Sequence, residues 1–432
     1  MSGDYQIRRF EPAVKNEPDY DAAVAWSRAV AFGFHEERKS EKRIDRGLAM
    51  SRADRSVFTG VYQTGEPAPH SLGEDVPVAT FATWRKTLNV GFGTLLDTHL
   101  ISSVTVRTSH RRRGLLRQMM SEDLALAKED GVAIAALTAS EASIYGRFGF
   151  GVATSEQSIT VDTTSRFRLN HVPVGTVEVA DPKVLLELAP QVFEQQHRLM
   201  PGSIDRQESY RQFVAGLVGR GGADGDGGPD AKVKTALHYS SDGAVDGYVS
   251  YKFSGWETEP AAMEIMDLVA ANSAAYLELW QYLGAIDLVE RVKWGTAPVD
   301  NPLIWALEDP RCVKGSEPRD MLWLRILDVR KALEARQFAT DGTVVLKVHD
   351  SLGLTPGTFS LDVRNGQATV TASDATPDLE LDISALSSIY LGAVHPASLV
   401  AAGRIQEKQQ GAAFLAARMF AVERPAFCPT HF

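Results

Sequence analysis

Cysteine is nearly absent from this 432-residue chain: only Cys312 and Cys428 occur, far apart and in no CxxC or Cys/His cluster. That excludes a disulfide framework and a thiolate zinc site, and it predicts a protein of a reducing cytoplasm. An excess of positive charge is also missing, since 45 Lys and Arg stand against 55 Asp and Glu for a net charge of -10. Phosphate backbones need a cationic surface, so no nucleic-acid partner is expected. Long apolar runs are lacking as well. Stretches such as Val132–Leu137 fall far short of a bilayer span, and MSGDYQIRRFEP has no apolar core of a signal peptide, so no membrane partner is expected. The sequence has no G-x-S-x-G, Walker A or HExxH motif. The calcium-loop-like DGDGGPD places Gly228 at the third ligand position, so no metal is expected.

What is present is an ordinary globular composition, 44% hydrophobic and 23% charged, with length for about three domains. Ala22, Ala25, Trp26, Ala29, Val30 and Phe32 recur at helical spacing and predict a helix over Asp21–Gly33. Strands are predicted at Val57–Gln63, Val76–Thr87 and Leu96–Val106, followed by a helix over Leu115–Glu129 that Gly131 stops and a buried strand at Val132–Leu137. Strands interleaved with helices describe an α/β unit. Lys232–Tyr239 and Ala244–Phe253, joined by SSDG, predict a hairpin, so the glycine-rich Gly219–Asp230 is expected to be a mobile loop inside a second domain rather than a linker. Met263–Val269, Ala274–Leu283 and Leu288–Trp294 then repeat the order strand, helix, strand of Leu96 to Leu137. This predicts an internal duplication in which the second copy, with AANSAA in place of RTSHRRRG, has lost phosphate-binding chemistry. From Met321 a strand leading into a helix, short strands at Val344–Val348, Gly357–Val363 and Gln367–Ala372, and helices at Leu386–Leu391 and Pro396–Ala402 predict a smaller α+β domain.

The chemistry is densest in SSVTVRTSHRRRGLLRQMMSEDL, Ser102 to Leu124. A strand runs into a basic loop with Arg111, Arg112, Arg113 and Gly114, and a helix starts at once. A helix start offers unpaired N–H groups and a positive dipole end, Gly114 lets the backbone approach a ligand, and the arginines add charge-assisted bonds to phosphate oxygens. His110 in this loop reads as structural. Downstream, VAIAALTASEASIYGRFGF places Tyr145, Phe148, Gly149 and Phe150 after the predicted strand.

Val-x-Val, a short loop, Arg-Arg-x-Gly, helix, strand and then Tyr-x-x-x-Gly-Phe resemble the GCN5-related N-acetyltransferases (GNAT). ISSVTVRTSHRRRGLLRQMM and LTASEASIYGRFGFGVAT, with DMLWLRILDVRKALEAR and SSIYLGAVHPASLVAAGRI further on, are similar to the Eis (enhanced intracellular survival) group of that superfamily. The resemblance covers the whole chain. It implies an α/β fold of two tandem GNAT-like domains, active over residues 1–155 and degenerate over 156–318, then a sterol-carrier-protein-like α+β domain over 319–432. It also implies acetyl-CoA as co-substrate, without a metal. Carried over residue by residue, it puts the pantetheine arm on Val104, Thr105 and Val106, and the pyrophosphate on Arg112, Arg113, Gly114, Leu115, Leu116 and Arg117. Ser140 and Glu141 complete the cofactor contacts, and Tyr145 is the general acid. The base is the carboxylate of the last residue, Phe432. A free α-carboxylate, with a pKa of ~3.3–3.7, becomes a better base when buried. The apolar, turn-rich RPAFCPTHF predicts that this end docks rather than frays. His431 would line the substrate pocket, while Glu36 and Glu37 are candidate acidic contacts for a polyamine that read more readily as a solvated charged turn. The resemblance further implies an amine acceptor, aminoglycoside-like or a protein lysine, and a homohexamer. A lipid carrier would instead need an apolar tunnel behind Leu361, Val363 and Leu391.

Overall fold

The computed structural model describes residues 5–65, 68–219 and 227–432, so most of the glycine-rich stretch lies outside the described residues. The first sheet has seven strands in the order Tyr5–Phe10, Val57–Gln63, Ala79–Asn89, Leu95–Val106, Ile134–Thr138, Leu322–Ile326 and Gly151–Val152. The helix Leu115–Glu129 buries Leu115, Met119, Met120, Leu124 and Ala127 against it, the apolar stripe that its sequence spacing predicts. The second sheet runs Val313–Gly315, Ser155–Asp162, Arg291–Pro298, Ala262–Ala270, Val245–Phe253, Val233–Tyr239 and Thr176–Ala180. Its helix Ser273–Gly284 buries Leu279, Trp280 and Leu283. The two modules are therefore built alike, as the repeated order predicts.

They also exchange a strand. Ser155–Asp162 follows the first module in sequence but pairs with Arg291–Pro298 of the second. Leu322–Ile326 follows the second module and returns to pair with Ile134–Thr138 of the first. In each sheet the borrowed strand lies against the strand that follows the long helix. All five residues of Leu322–Ile326 are buried, which suits a central strand covered on both faces.

The third sheet, in the order Gln367–Ala372, Gly357–Arg364, Gly342–His349, Leu379–Asp382 and Ile405–Glu407, carries helices on one side. Leu361, Val363 and Leu391 pack there with Leu346, Ile389 and Phe420 in one hydrophobic cluster. No helix among the described residues is long and apolar enough to cross a membrane.

Candidate active site

Two neighbouring strands create the opening. Leu95–Val106 and Ile134–Thr138 run parallel and pair only from Thr98 to Ile101 against Ile134 to Leu137. Beyond Ile101 they part, and the edge of Val104–Val106 on that side has no strand partner among the described residues. A register shift opposite Thr80 and Ala82 marks a bulge, with Ser103 at φ 53° and its carbonyl taking the Thr80 hydroxyl at 2.9 Å. Bulges re-aim a strand, and here consecutive residues serve two cavities.

The larger cavity, about 900 Å³, is lined by Val104, Thr105 and Val106, by the whole run Arg111–Arg117, and by Ser140, Glu141 and Tyr145. Every cofactor contact carried over from the sequence thus faces one space. Gly114 caps the helix at φ 81°, in the left-handed region, and no side chain caps the first turn. Arg111, Arg112 and Arg117 are exposed and make no ion pair among the described residues, whereas Arg113 donates to the Tyr5 hydroxyl at 2.5 Å. Orphan N–H groups and unpaired guanidiniums together make an anion site. At the equivalent point of the second module, Asn272 caps its own helix by accepting from the Ala275 N–H at 2.9 Å, and no arginine stands beside it.

Tyr145 is buried at the end of a short turn, its ring edge-on to Phe150 with centroids 6.1 Å apart. Burial first, and the Glu141 carboxylate second, push its phenol above the ordinary value, so it holds its proton. His110 bonds Gln63 and Ser109 through its two ring nitrogens, at 3.0 Å each. Burial, helped by Arg113 and Arg107, lowers its pKa, and the residue stands in the lining of the larger cavity.

The smaller cavity, about 250 Å³, lies on the other side of the bulge and is lined by Ser102, Ser103, Trp26, Phe58, Trp84 and Phe432 among others. The Phe432 ring meets Trp84 edge-on at 5.8 Å, and its main-chain oxygen takes the Thr138 hydroxyl at 2.5 Å. The chain end is docked throughout. Phe427 N–H donates to Pro201 O at 2.8 Å, the Thr430 hydroxyl to Ile204 O at 2.7 Å, and the Tyr210 hydroxyl to Pro429 O at 3.0 Å. Gln207 Nε2 donates to His431 O at 2.6 Å. Burial pushes the Cys428 thiol in this tail up to about 12, which leaves it an inert packing group.

Three expected contacts fall elsewhere. His431 turns from both cavities to Glu156, Nε2 to Oε2 2.9 Å. Glu36 and Glu37 are exposed, line neither cavity, and Glu36 pairs with Lys39 at 3.1 Å. The acidic side chain that does line the smaller cavity is Asp54, held by Lys86 Nζ at 2.9 Å. Sequence reading missed Asp54, Trp84, Thr138 and Gln207. Trp84 Nε1 and Gln207 Oε1 are buried with no hydrogen-bond partner among the described residues, a mark of polar demand beside the smaller cavity. Reading also missed Gly33, whose Cβ, if present, would lie 2.5 Å from Thr105 Cβ, so that only glycine lets the first helix close on the strand.

An acetyltransferase (GNAT) domain model matches residues 17–153, a second one residues 202–326, and a sterol carrier protein domain residues 329–429. An N-acetyltransferase Eis of Mycobacterium tuberculosis is 34% identical over 323 residues, covering 73% of this chain and 75% of its own. The chain belongs to the Eis family of N-acetyltransferases. An uncharacterized N-acetyltransferase of Streptomyces avermitilis is 36% identical over 425 residues, 94% of this chain and 96% of its own. The crystal structure of Eis1 from Mycobacterium abscessus superposes with a TM-score of 0.77 at 26% identity, covering 99% of this chain and 100% of that one. The protein is thus an acyltransferase with two GNAT modules and a sterol-carrier-like third domain.

Proposed function

We propose that this Eis-family enzyme transfers acetyl from acetyl-CoA to a primary amine by direct attack of the neutral amine on the thioester. The observation that carries the reading is the convergence of the free Val104–Val106 edge, the arginine-lined helix start and Tyr145 on one cavity. The strand edge would pair with the pantetheine arm and the helix start would take the pyrophosphate. Holding the thioester in this way supplies much of the rate. Backbone N–H groups near the bulge polarise the carbonyl. Tyr145 gives its proton to the departing thiolate as general acid, and the Phe432 carboxylate takes the ammonium proton as base.

The acceptor enters the smaller cavity, and an aminoglycoside-like polyamine is the substrate class proposed. A protein lysine is the second reading, favoured by the modest 250 Å³ volume, which suits one amine-bearing arm. The Asp54–Lys86 pair leaves few free acidic contacts for a polycation. The family likeness supports a homohexamer acting in the cytoplasm, without a metal. The test is a panel of acyl-CoA donors against aminoglycosides and lysine peptides, read by mass spectrometry. Increments of one or more acetyl groups on an amine substrate are expected, and no transfer to any amine would overturn the reading.

A further inference from the structure

The larger cavity is not built by the first module alone. Ser351 and Leu352, from the third domain, line it together with the arginine loop. They belong to a turn, Asp350–Thr355, that is tied down at several points. Asp350 takes the Leu352 N–H at 3.1 Å and the Thr355 N–H at 2.9 Å. Lys128, near the end of the Leu115–Glu129 helix, donates to Leu354 O, and the Ser351 hydroxyl reaches Arg147 O at 3.4 Å. Leu352 and Leu354 pack on the cluster that contains Tyr145, Phe148 and Phe150.

Its anchor is Arg325 of the borrowed strand. Arg325 Nη2 meets both oxygens of Asp350 at 2.8 and 2.7 Å, and both side chains are fully buried. The same guanidinium donates through Nε to Phe148 O at 2.7 Å, inside the Tyr145 turn. A Cβ on Gly149, at φ 83°, would come within 2.7 Å of Arg325 Nε, so the glycine of the Tyr-x-x-x-Gly-Phe motif makes room for this contact. A fully buried pair is a weak source of net stability, but it fixes geometry because removing one partner strands a charge. One guanidinium thereby locks two walls of one cavity.

We propose that the Asp350–Thr355 turn is part of the coenzyme A site, with Ser351 and Leu352 as binding residues and Arg325–Asp350 as the positioning pair that presets them. The proposal rests on the reading of the larger cavity as the acyl-CoA site. Neither Ser351 nor Leu352 lines the smaller cavity, so they serve the coenzyme rather than the amine. The sterol-carrier-like domain is in this account a working wall of the donor site.

Calorimetric titration of the full chain with acetyl-CoA and with coenzyme A tests it. Ser351→Glu should weaken both by about tenfold with unchanged melting temperature, because a carboxylate in this wall repels the coenzyme's phosphates. Wild-type affinity in Ser351→Glu would overturn the proposal. Asp350→Asn should weaken binding and raise amide exchange over residues 350–355. If that variant does not fold, Arg325→Met with Asp350→Leu removes both charges; it should fold and still bind more weakly, and wild-type affinity there would reduce the pair to a structural role. Arg112→Ala with Gly114→Asp is the control. If the control binds as wild type, the cavity assignment itself falls; if it loses binding while Ser351→Glu does not, only the third-domain inference falls.

Discussion

At the scale of single residues, two side chains divide the proposed work. Arg112 stands exposed at a helix start whose N–H groups lack a side-chain cap. Arg112→Ala with Gly114→Asp should raise KM for acetyl-CoA by about a hundredfold, since it removes a charge-assisted bond and adds an opposing carboxylate; thermal unfolding checks that the fold survives. Tyr145→Phe keeps the ring contact with Phe150 and removes only the hydroxyl. Its kcat should fall about 10²–10⁴-fold with little change in acetyl-CoA affinity, as measured by steady-state kinetics beside calorimetry. Because burial raises the phenol's pKa, wild-type kcat should not fall on the alkaline side until beyond about pH 10. The motif residues were legible because their neighbours in sequence are their neighbours in the site. Thr138, Trp84 and Gln207 were not, because what makes them matter is a chain end hundreds of residues away. The direction of His431, toward Glu156, was not legible for the same reason: a position next to the last residue does not say which way a side chain turns.

At the scale of elements, strands were easier to read than their partners. Val57–Gln63 and the helix Leu115–Glu129 appear with the bounds expected. LWLRI reads as a strand, yet only the three-dimensional structure shows that it completes the first sheet. Pattern gives a strand's existence and faces, while its place in a sheet depends on contacts of long sequence separation. The helix Glu41–Ala53 escaped notice because only Ile44 and Leu48 are buried in an otherwise polar run. The exchanged strand Ser155–Asp162 carries Glu156, 2% exposed, which holds His431 and is itself held by Arg319 Nε at 2.8 Å. Burial alone would raise the Glu156 carboxyl, but His431 and then Arg319 outweigh it and lower the pKa. A lowered carboxyl contributes stability that is complete above its ordinary value, ~4.3, and is lost as pH falls through the lower folded value. Glu156→Gln should cost about 1–3 kcal/mol at neutral pH by urea unfolding, and the difference from wild type should shrink as the pH falls below that range.

At the scale of the whole molecule, the three parts meet at the chain end. The first module supplies Thr138 and Trp84, the second supplies Gln207 and Tyr210, and the tail comes from the third. The division at residues 155 and 318 remains our proposal for the units, and by it the strand Leu322–Ile326 of the third unit completes the sheet of the first. The second module thus holds the tail through Gln207 and Tyr210, against the Thr138 and Trp84 of the first. The central claim is that the Phe432 carboxylate is the base, and its most direct test is turnover with and without residues added after Phe432. An extension turns the carboxylate into an amide while Phe432 O can still accept from Thr138. At equal oligomeric state by light scattering, the C-terminally extended enzyme should bind acetyl-CoA as tightly as the unextended one and lose turnover. Full turnover in the extended enzyme would contradict the account.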